Sequence, residues 1–456
     1  MSEVVADFVV IGAGPAGMAA ACEARSHGLS VVLLDEQAAI GGQIYRGVET
    51  APSDRLEVLG KDYAVGRDLT SAFCSSGARH VGGATVWNVS TDGTVDYVTN
   101  GSSGKAVGKY VLIASGAMER PFPIRGWTLP GVMGAGAAQI LLKGAGALPS
   151  GPVVLAGCGP LLYLLAWQYL RAGASIRALV DTTDRSAHLH AARYVTGALL
   201  GWRDLAKGIK LLAALRRHRV PVYSGCTDLA VEGESRVEGL SFRHGGKLVQ
   251  VPASLLLLHQ GVVPNTQISW STGSAHRWNA EQLCWQPVTD VWGRLGETSL
   301  YVAGDSRAIV GAQASAVQGR LAALAIAARL GAVTDLDRRA APLQRDFRRH
   351  TSIRPFLDSL YRPRDENRIP QDGGVLVCRC EEVTAAQIRR YVELGCQGPN
   401  QTKAFGRCGM GPCQGRFCGL TVTELIAGTR GVPPDEVGYY RIRPPIKPVT
   451  LGELTR

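Results

Sequence analysis

At 456 residues the chain is longer than one hydrophobic core usually supports, so two or three domains are expected. It is 46 % hydrophobic and 19 % charged, with 56 glycines, which is the balance of a soluble globular enzyme rich in nucleotide-binding turns. The net charge of +11 could suggest nucleic acid, but the basic residues are scattered. Their densest cluster, Arg203 to Arg219, has no aromatic platform beside it, so an acidic protein partner or an anionic surface fits better. The N-terminus lacks a basic n-region and its apolar run reads as a strand, so no signal peptide is expected. Gly144 to Leu170 contains no charge, but its prolines and glycines make it loop, strand, turn and helix rather than a membrane span.

In chain order, Phe8-Val9-Val10-Ile11 is an apolar, β-branched run of the kind found in strands buried on both faces. Gly12-Ala13-Gly14-Pro15-Ala16-Gly17 follows and opens a segment rich in Ala and Met, good helix formers. Ser30 to Leu34 reads as a second buried strand ending in Asp35-Glu36. This is a βαβ unit with G-x-G-x-x-G at its first turn and acids at the tip of the second strand, which points to a bound dinucleotide. Gly12 allows the tight turn, Gly14 lets a pyrophosphate reach the backbone, and Gly17 lets helix and strand pack closely. The helix N-terminus offers free N–H groups and the positive end of its dipole. Asp35, more than Glu36, is placed to bind a ribose 2′-hydroxyl. A glycine-rich turn without a ligand is the bland alternative; strand, glycines, helix and acid together argue against it.

After Gly41-Gly42-Gln43 a polar, irregular region is expected up to about Ser76. Strands follow between His80 and Val98, with Thr85-Val86-Trp87 central. Tyr110 to Gly116 reads as a buried strand ending in Ala114, Ser115 and Gly116, small residues that admit a nucleotide or flavin to the backbone. Pro121, Pro123, Pro130 and Gly131 mark a crossing between domains. A second dinucleotide-type unit starts at Pro152, with Gly157-Cys158-Gly159, a helix to about Arg171, and a strand from Ser175 to Val180 closed by Asp181. Leu162 stands where the third fingerprint glycine belongs, so helix and strand sit farther apart and the signal weakens. A nucleotide there would meet Asp181, which accepts a 2′-hydroxyl and repels a 2′-phosphate, favouring NAD or ADP over NADP. Trp202 to Arg219 reads as a basic amphipathic surface helix, and Leu255 to Leu258 as a buried strand leading into His259-Gln260-Gly261. Thr298 runs through Gly304-Asp305 into a helix of small residues. Asp305 suits both a carboxylate held over a sugar hydroxyl and a helix N-cap.

Six of the eleven cysteines fall between Cys378 and Cys418, whereas Cys22, Cys74, Cys158, Cys226 and Cys284 are isolated. That clustering argues for metal or cluster ligation rather than disulfides. Thiolates are ligands that soft iron favours. A zinc site is the chemical rival, but Cys378-x-Cys380 is too tightly spaced for the usual zinc knuckle.

The first two-thirds of the chain resembles the two-dinucleotide-binding-domain flavoproteins, the group of thioredoxin reductase, the NADH-dependent ferredoxin reductases and the glutathione reductase type. The resemblance implies an α/β fold with two Rossmann-like domains and FAD in the first, completed by residues after Gln260. It implies flavin-nucleotide contacts at Gly12, Gly14, Pro15, Ala16, Gly17, Asp35, Glu36, Gly42, Gln43, Val86, Ala114, Ser115, Gly116, Gly304 and Asp305. Asp305 would hold the ribityl chain, and Gly41-Gly42-Gln43 would lie near the isoalloxazine ring. The second nucleotide domain would use Gly157, Gly159 and Asp181. No Cys-x-x-Cys occurs from Gly131 to Gln139 or from Ile40 to Gly60, which removes dithiol–disulfide exchange. Residues 375–420 resemble the bacterioferritin-associated-ferredoxin-like (BFD-like) [2Fe–2S] domain. That resemblance implies Cys378, Cys380, Cys413 and Cys418 as ligands and leaves Cys396 and Cys408 as spares, with Cys408 the candidate substitute. Gly409, Gly411 and Gly415 would let backbone N–H groups reach the cluster sulfurs.

With Gly41 to Arg46, Leu258 to Asn265 and the tail from Arg441 added, the whole chain resembles the α (A) subunits of heteromeric dye-linked amino-acid dehydrogenases. These include the corresponding subunits of opine oxidases, of hydroxyproline and proline dehydrogenases, and of hydrogen cyanide synthase. The implied layout is FAD domain 1–118, inserted nucleotide domain 119–260, FAD domain 261–332, linker 333–373, [2Fe–2S] domain 374–430 and tail 431–456. The implied role is electron transfer. A D-amino-acid-oxidase-like β subunit oxidises a C–N bond, and electrons pass through FAD and the cluster to an acceptor such as the quinone chain. A small [2Fe–2S] γ subunit, FMN shared at an interface, and ADP, ATP or NAD in the second nucleotide domain belong to the same expectation. So does a cytoplasmic location with peripheral attachment to the inner membrane. The chain itself shows no substrate constellation: no His–Asp pair at a strand end and no catalytic Cys. The alternatives are a self-sufficient NADH-dependent reductase and a scaffold that holds ADP or ATP structurally.

Overall fold

Phe8, Val9 and Val10 are wholly buried in the strand Ser2–Ile11, which lies between two parallel neighbours, Val31–Asp35 and Ser102–Ile113. Burial on both faces explains the unbroken apolar run. The computed structural model describes residues 2–455. The chain divides into two units, one of 1–118, 263–351 and 441–456, the other of 119–262 and 352–440.

In the first unit the sheet runs Arg79–Gly82, Val31–Asp35, Ser2–Ile11, Ser102–Ile113, Thr94–Thr99, Thr85–Val89, the last two antiparallel. The long strand Ser102–Ile113 serves two further neighbours. Its first half pairs with Thr94–Thr99, and Val111 to Ile113 pair in parallel with Leu300–Val302. The returning chain thus completes the Rossmann-like sheet. The helices Pro15–Ser26 and Ala312–Arg329 pack backbone to backbone: a Cβ on Gly319 would stand 2.0 Å from the Ala16 carbonyl oxygen.

The stretch expected to be irregular up to Ser76 is instead helical, as Ser53–Leu59, Lys61–Ala64 and Gly66–Ser75. Gly60, at φ 91°, breaks the run into pieces too short to show a helical period. Tertiary packing stabilises them: Leu59, Tyr63 and Phe73 are buried, and Gly66 meets the ring of Tyr45.

In the second unit a five-stranded parallel sheet runs Val222–Ser224, Ile176–Asp181, Val153–Cys158, Leu256–Gln260, Val132–Gly134. An antiparallel sheet of Thr227–Glu232, Gly239–His244 and Lys247–Pro252 packs on it. The uncharged stretch to Leu170 is loop, the strand Val153–Cys158 and the helix Pro160–Arg171. The cysteine-rich module shares this core: Trp127 stacks on Phe417 at 5.7 Å and its indole N–H donates to the Leu376 carbonyl at 2.8 Å. Residues 333–373 include two helices, Leu336–Thr351 in the first unit and Arg354–Leu360 in the second. Among the described residues no helix is long and apolar enough to cross a membrane.

Candidate cofactor sites

The first glycine turn combines two kinds of glycine. A Cβ on Gly12 would lie 2.4 Å from the Ala114 carbonyl oxygen, and one on Gly17 would lie 1.9 Å from the Gly12 carbonyl oxygen. Those two positions are fixed by protein packing. Gly14 differs, because nothing lies within 4 Å of the point where its Cβ would stand. The helix behind it begins at Pro15, with no acid in its first turn and no side-chain cap, so its leading N–H groups remain for an anion. Ala16 is buried beneath this turn, and a Cβ on Gly42 would touch Gly14 Cα at 2.7 Å.

Asp35 ends its strand and accepts N–H bonds from Ala13 and from Gln37, the latter at 2.7 Å. Burial raises its carboxyl pKa above the ordinary value. Glu36 is ion-paired with Lys447 at 2.8 Å, and Gln43 accepts a long bond from Arg46. Val86 is buried in the antiparallel extension opposite Tyr97. Ser115 Oγ donates to the Asn265 carbonyl at 2.9 Å, and Asn265 N–H donates to the Gly116 carbonyl at 2.9 Å. Gly116, like Gly14, has open space where a Cβ would be. The Gly304 N–H donates to Gln318 Oε1 at 2.8 Å. Asp305 Oδ1 accepts N–H bonds from Val310 at 2.8 Å and Gly311 at 3.0 Å, so it holds the turn that leads into the following helix without capping it. Two open glycine faces and two carboxylates at strand ends form a set that fits FAD.

The second glycine turn is filled from within. A Cβ on Gly157 would lie 1.6 Å from the His259 carbonyl oxygen, and one on Gly159 would lie 3.1 Å from His259 Nε2. The buried His259 ring is held by Glu119, whose Oε1 is 2.7 Å from Nδ1. Gln260 donates to Thr182 Oγ1 at 3.1 Å and accepts from Cys158 Sγ at 3.1 Å. Both oxygens of Asp181 are engaged, one by the Tyr163 hydroxyl at 2.7 Å and one by the Thr183 N–H at 2.8 Å. The segment after Arg354–Leu360 closes over this tip: Arg364 donates to the Thr182 carbonyl at 2.9 Å, and the Tyr361 carbonyl accepts from Cys158 at 3.6 Å. Burial, with Asp181 nearby, pushes the Tyr361 phenol up to about 12. A dinucleotide needs the face of Gly159, and the His259 ring covers it. As they stand, the residues do not fit one. The sequence predicts no His–Asp pair at a strand end, and the pair found near the end of Leu256–Gln260 is a different one, His259 with Glu119. The two are 140 residues apart, a pairing that sequence spacing does not reveal.

Five cysteines converge in the C-terminal module. The sulfurs of Cys378, Cys408 and Cys418 lie within 4.8 Å of one another, all buried. Cys380 and Cys413 hydrogen-bond to each other nearer the surface, with Gly411 packed on Cys380. Hydrogen bonds from Cys408 and Cys418 lower the Cys378 pKa, which favours its thiolate. The four thiols of the expected ligand set thus fall into two places, Cys378 and Cys418 in a buried group with Cys408, and Cys380 with Cys413 as an outer pair. Paired thiols suit a two-iron cluster, which takes four cysteines. Cys396 lies apart, its thiol donating to the Gly398 carbonyl at 3.3 Å.

One further feature had no sequence signal. In the first unit a cavity of about 530 Å³ is lined by Arg277, Arg307 and Arg348 together with Gln286, Gln344 and Trp292. None of its lining residues is acidic among the described residues. Burial lowers the Arg307 pKa, and its guanidinium donates to the Asp290 carbonyl at 2.8 Å. These residues come from separate segments, which is why no motif announces them.

Residues 6–329 match the family described as pyridine nucleotide-disulphide oxidoreductase, and residues 374–456 match the sarcosine oxidase A3 domain. The opine oxidase A subunit of Agrobacterium tumefaciens is 47 % identical, over 98 % of this chain and 91 % of its own. The hydrogen cyanide synthase protein HcnB of Pseudomonas protegens is 29 % identical, over 97 % of this chain and 96 % of its own. The crystal structure of L-proline dehydrogenase from P. horikoshii shares the fold, with a TM-score of 0.76 at 20 % identity, covering 100 % of this chain and 80 % of that one. The chain belongs to the family of α (A) subunits of heteromeric amino-acid and opine dehydrogenases, oxidoreductases built on a two-Rossmann flavoprotein fold.

Proposed function

We propose that the chain is the electron-transfer subunit of a heteromeric dehydrogenase or oxidase that oxidises the C–N bond of an amino acid or opine, of the opine, hydroxyproline or proline type. One contrast carries the reading: the face of Gly14 is open, whereas the face of Gly159 is covered by His259. With the nicotinamide cleft filled, electrons reach the flavin from a partner. That partner is a D-amino-acid-oxidase-like β subunit, with a small [2Fe–2S] γ subunit in the assembly.

FAD can take electrons as a pair and release them one at a time, and a [2Fe–2S] cluster carries one at a time, so the two together would link a two-electron oxidation to one-electron transfer toward the acceptor. The Gly14 face and the helix starting at Pro15 would hold the pyrophosphate, Asp35 the adenosine ribose and Asp305 the ribityl chain. Cys378, Cys380, Cys413 and Cys418 would hold the irons. The three-arginine cavity supports a second, phosphate-bearing flavin, FMN, shared with a partner. Delivery to a membrane quinone pool is supported by residues 189–212, where Leu189, Leu199, Leu200, Trp202 and Ile209 are exposed beside Arg203, Lys207 and Lys210.

The test is co-expression with the neighbouring genes. The purified complex is expected to reduce an artificial dye with an opine, hydroxyproline or proline, and the chain alone is not. An isolated chain that matched the complex in rate would overturn the reading. The NADH-dependent reductase and the ADP- or ATP-holding scaffold both need the face of Gly159, which His259 covers.

A further inference from the structure

The acid-bearing tip of the strand Val31–Asp35 is met by a segment from the far end of the chain. Lys447 Nζ donates to both carboxylate oxygens of Glu36 at 2.8 Å. One residue earlier, the Ile446 N–H donates to the Trp87 carbonyl at 2.9 Å. Trp87 is skipped where Thr85–Val89 pairs with Thr94–Thr99, since Val86 stands opposite Tyr97 and Asn88 opposite Asp96. A bulge of this kind turns one residue out of the ladder. Ile442 and Ile446 are buried, and Thr450 closes a capping box on the short helix Leu451–Leu454. Residues 441–456 thus belong to the first unit, whereas the cysteine module before them belongs to the second.

The two anchors fall beside one junction. Glu36 follows Asp35, which the flavin reading gives to the adenosine ribose, and Trp87 follows Val86, another expected flavin contact. The Asp35 carbonyl accepts from the Ala84 N–H at 2.8 Å, so the strand tip and the start of Thr85–Val89 are joined directly. Charge matters at this point. A flavin dinucleotide carries an anionic pyrophosphate, and a second carboxylate next to Asp35 works against it unless a cation is held there. Lys447 is that cation.

We propose that residues 441–449 form a strap on the adenosine end of the flavin site, in which Lys447 offsets the Glu36 carboxylate and, with the Ile446–Trp87 bond, keeps the strand tip and Thr85–Val89 in the arrangement that retains FAD. The inference rests on the flavin reading above and extends it to chain outside both stretches that carry that reading. Flavin retention in the first unit then depends on residues that follow the cysteine module. Lys447 is a positioning residue: it acts through Glu36 and touches no reacting atom.

The experiment follows FAD release from the full chain by the rise in flavin fluorescence on dilution, beside melting curves of the flavin-free protein. Lys447→Ala is expected to speed release about fivefold, the scale of a partly exposed ion pair. Lys447→Glu sets two carboxylates against each other and should speed it tenfold or more. Glu36→Gln removes the charge that Lys447 answers, so Lys447→Ala added to it should have less effect than alone. Lys109→Ala breaks a comparable pair with Asp7 elsewhere in the same sheet and should leave release unchanged. The flavin-free Lys447→Ala protein should melt with wild type. Release from Lys447→Ala at the wild-type rate overturns the proposal, as does equal acceleration by Lys109→Ala. Full additivity of Glu36→Gln and Lys447→Ala overturns it too, and so does a lowered melting temperature of flavin-free Lys447→Ala, which would make the segment ordinary packing. Wild-type chain that neither purifies with flavin nor binds added FAD instead defeats the flavin reading itself.

Discussion

The imidazole of His259 lies against Gly159, with Nε2 3.1 Å from the point where a Cβ on that glycine would stand. In a dinucleotide-binding turn that space belongs to the pyrophosphate. Anaerobic mixing of the flavin-loaded chain with NADH should therefore leave the flavin oxidised. Neither NAD nor ADP should raise the melting temperature, although a ligand at 100 times its dissociation constant would add about 2.7 kcal/mol. Rapid bleaching of the flavin would sink both this prediction and the proposed role.

Gly14 and Gly17 are both fingerprint glycines, but they should fail differently. Gly14 has φ −77° and open space at its Cβ position, so Gly14→Ala should fold and lose flavin affinity by tenfold or more, on the order of 1.4 kcal/mol. Gly17→Ala places its methyl 1.9 Å from the Gly12 carbonyl oxygen and should destabilise even the flavin-free protein. Flavin content and apoprotein melting curves separate the two. Equal melting temperatures for both apoproteins would contradict the packing role of Gly17.

What the sequence made legible follows from range. The strand Ser2–Ile11, its glycine turn and Asp35 lie within one βαβ unit, where hydrophobic runs and fixed glycine spacing carry the signal. The helices between Ser53 and Ser75 were lost because they are short and depend on Tyr45 and Gly66 meeting in space. His259 with Glu119, Tyr440 with Cys408, and the three arginines of the cavity join residues far apart in the chain, and no periodicity reports such pairs. Gly157 and Gly159 show the limit from the other side. The spacing was readable, but only the structure shows that His259 covers them.

Arg368 and Glu424 form an ion pair with both side chains 5 % exposed, tying the segment before the cysteine module to the helix Gly419–Arg430. Burial lowers the Arg368 pKa to about 10, a sign of how costly that charge is to hide. Glu424→Leu should destabilise the protein by up to about 3 kcal/mol, because it leaves the buried guanidinium with Asp365 as its remaining carboxylate partner. Arg368→Met combined with Glu424→Leu should recover most of that loss in urea denaturation. A double variant as unstable as the single one would show that packing, not charge, is at stake.

Residues 189–212 expose Leu189, Leu199, Leu200, Trp202 and Ile209 beside a cationic row that includes Arg203, Lys207 and Lys210. Co-sedimentation with vesicles should therefore require anionic lipid and weaken with salt. Lys207→Glu with Lys210→Glu should reduce binding by at least tenfold, since each basic residue near such a surface contributes about 1 kcal/mol. Equal binding to neutral vesicles, or none to either, would refute the membrane contact.

His276 sets a pH limit on the first unit. Its ring stacks on Trp270 at 3.7 Å, Nδ1 lies 2.8 Å from the Ser274 carbonyl and Nε2 lies 2.8 Å from Ser269 Oγ. The Ser274 carbonyl can only accept, so Nδ1 carries a proton, and the Ser269 hydroxyl near Nε2 also lies 3.0 Å from the Thr266 carbonyl. Burial pushes the pKa down to about 4, against about 6.5 in the unfolded chain. Between those values the unfolded state binds the proton and the native state does not. Stability is therefore full above about pH 6.5 and falls as pH drops toward about 4, below which no further loss comes from this group. The span corresponds to at most about 3 kcal/mol. Urea denaturation across that range should show the slope in wild type and a shallower one in His276→Gln, which has no proton to gain. Parallel slopes in the two proteins would assign the acid sensitivity to another group.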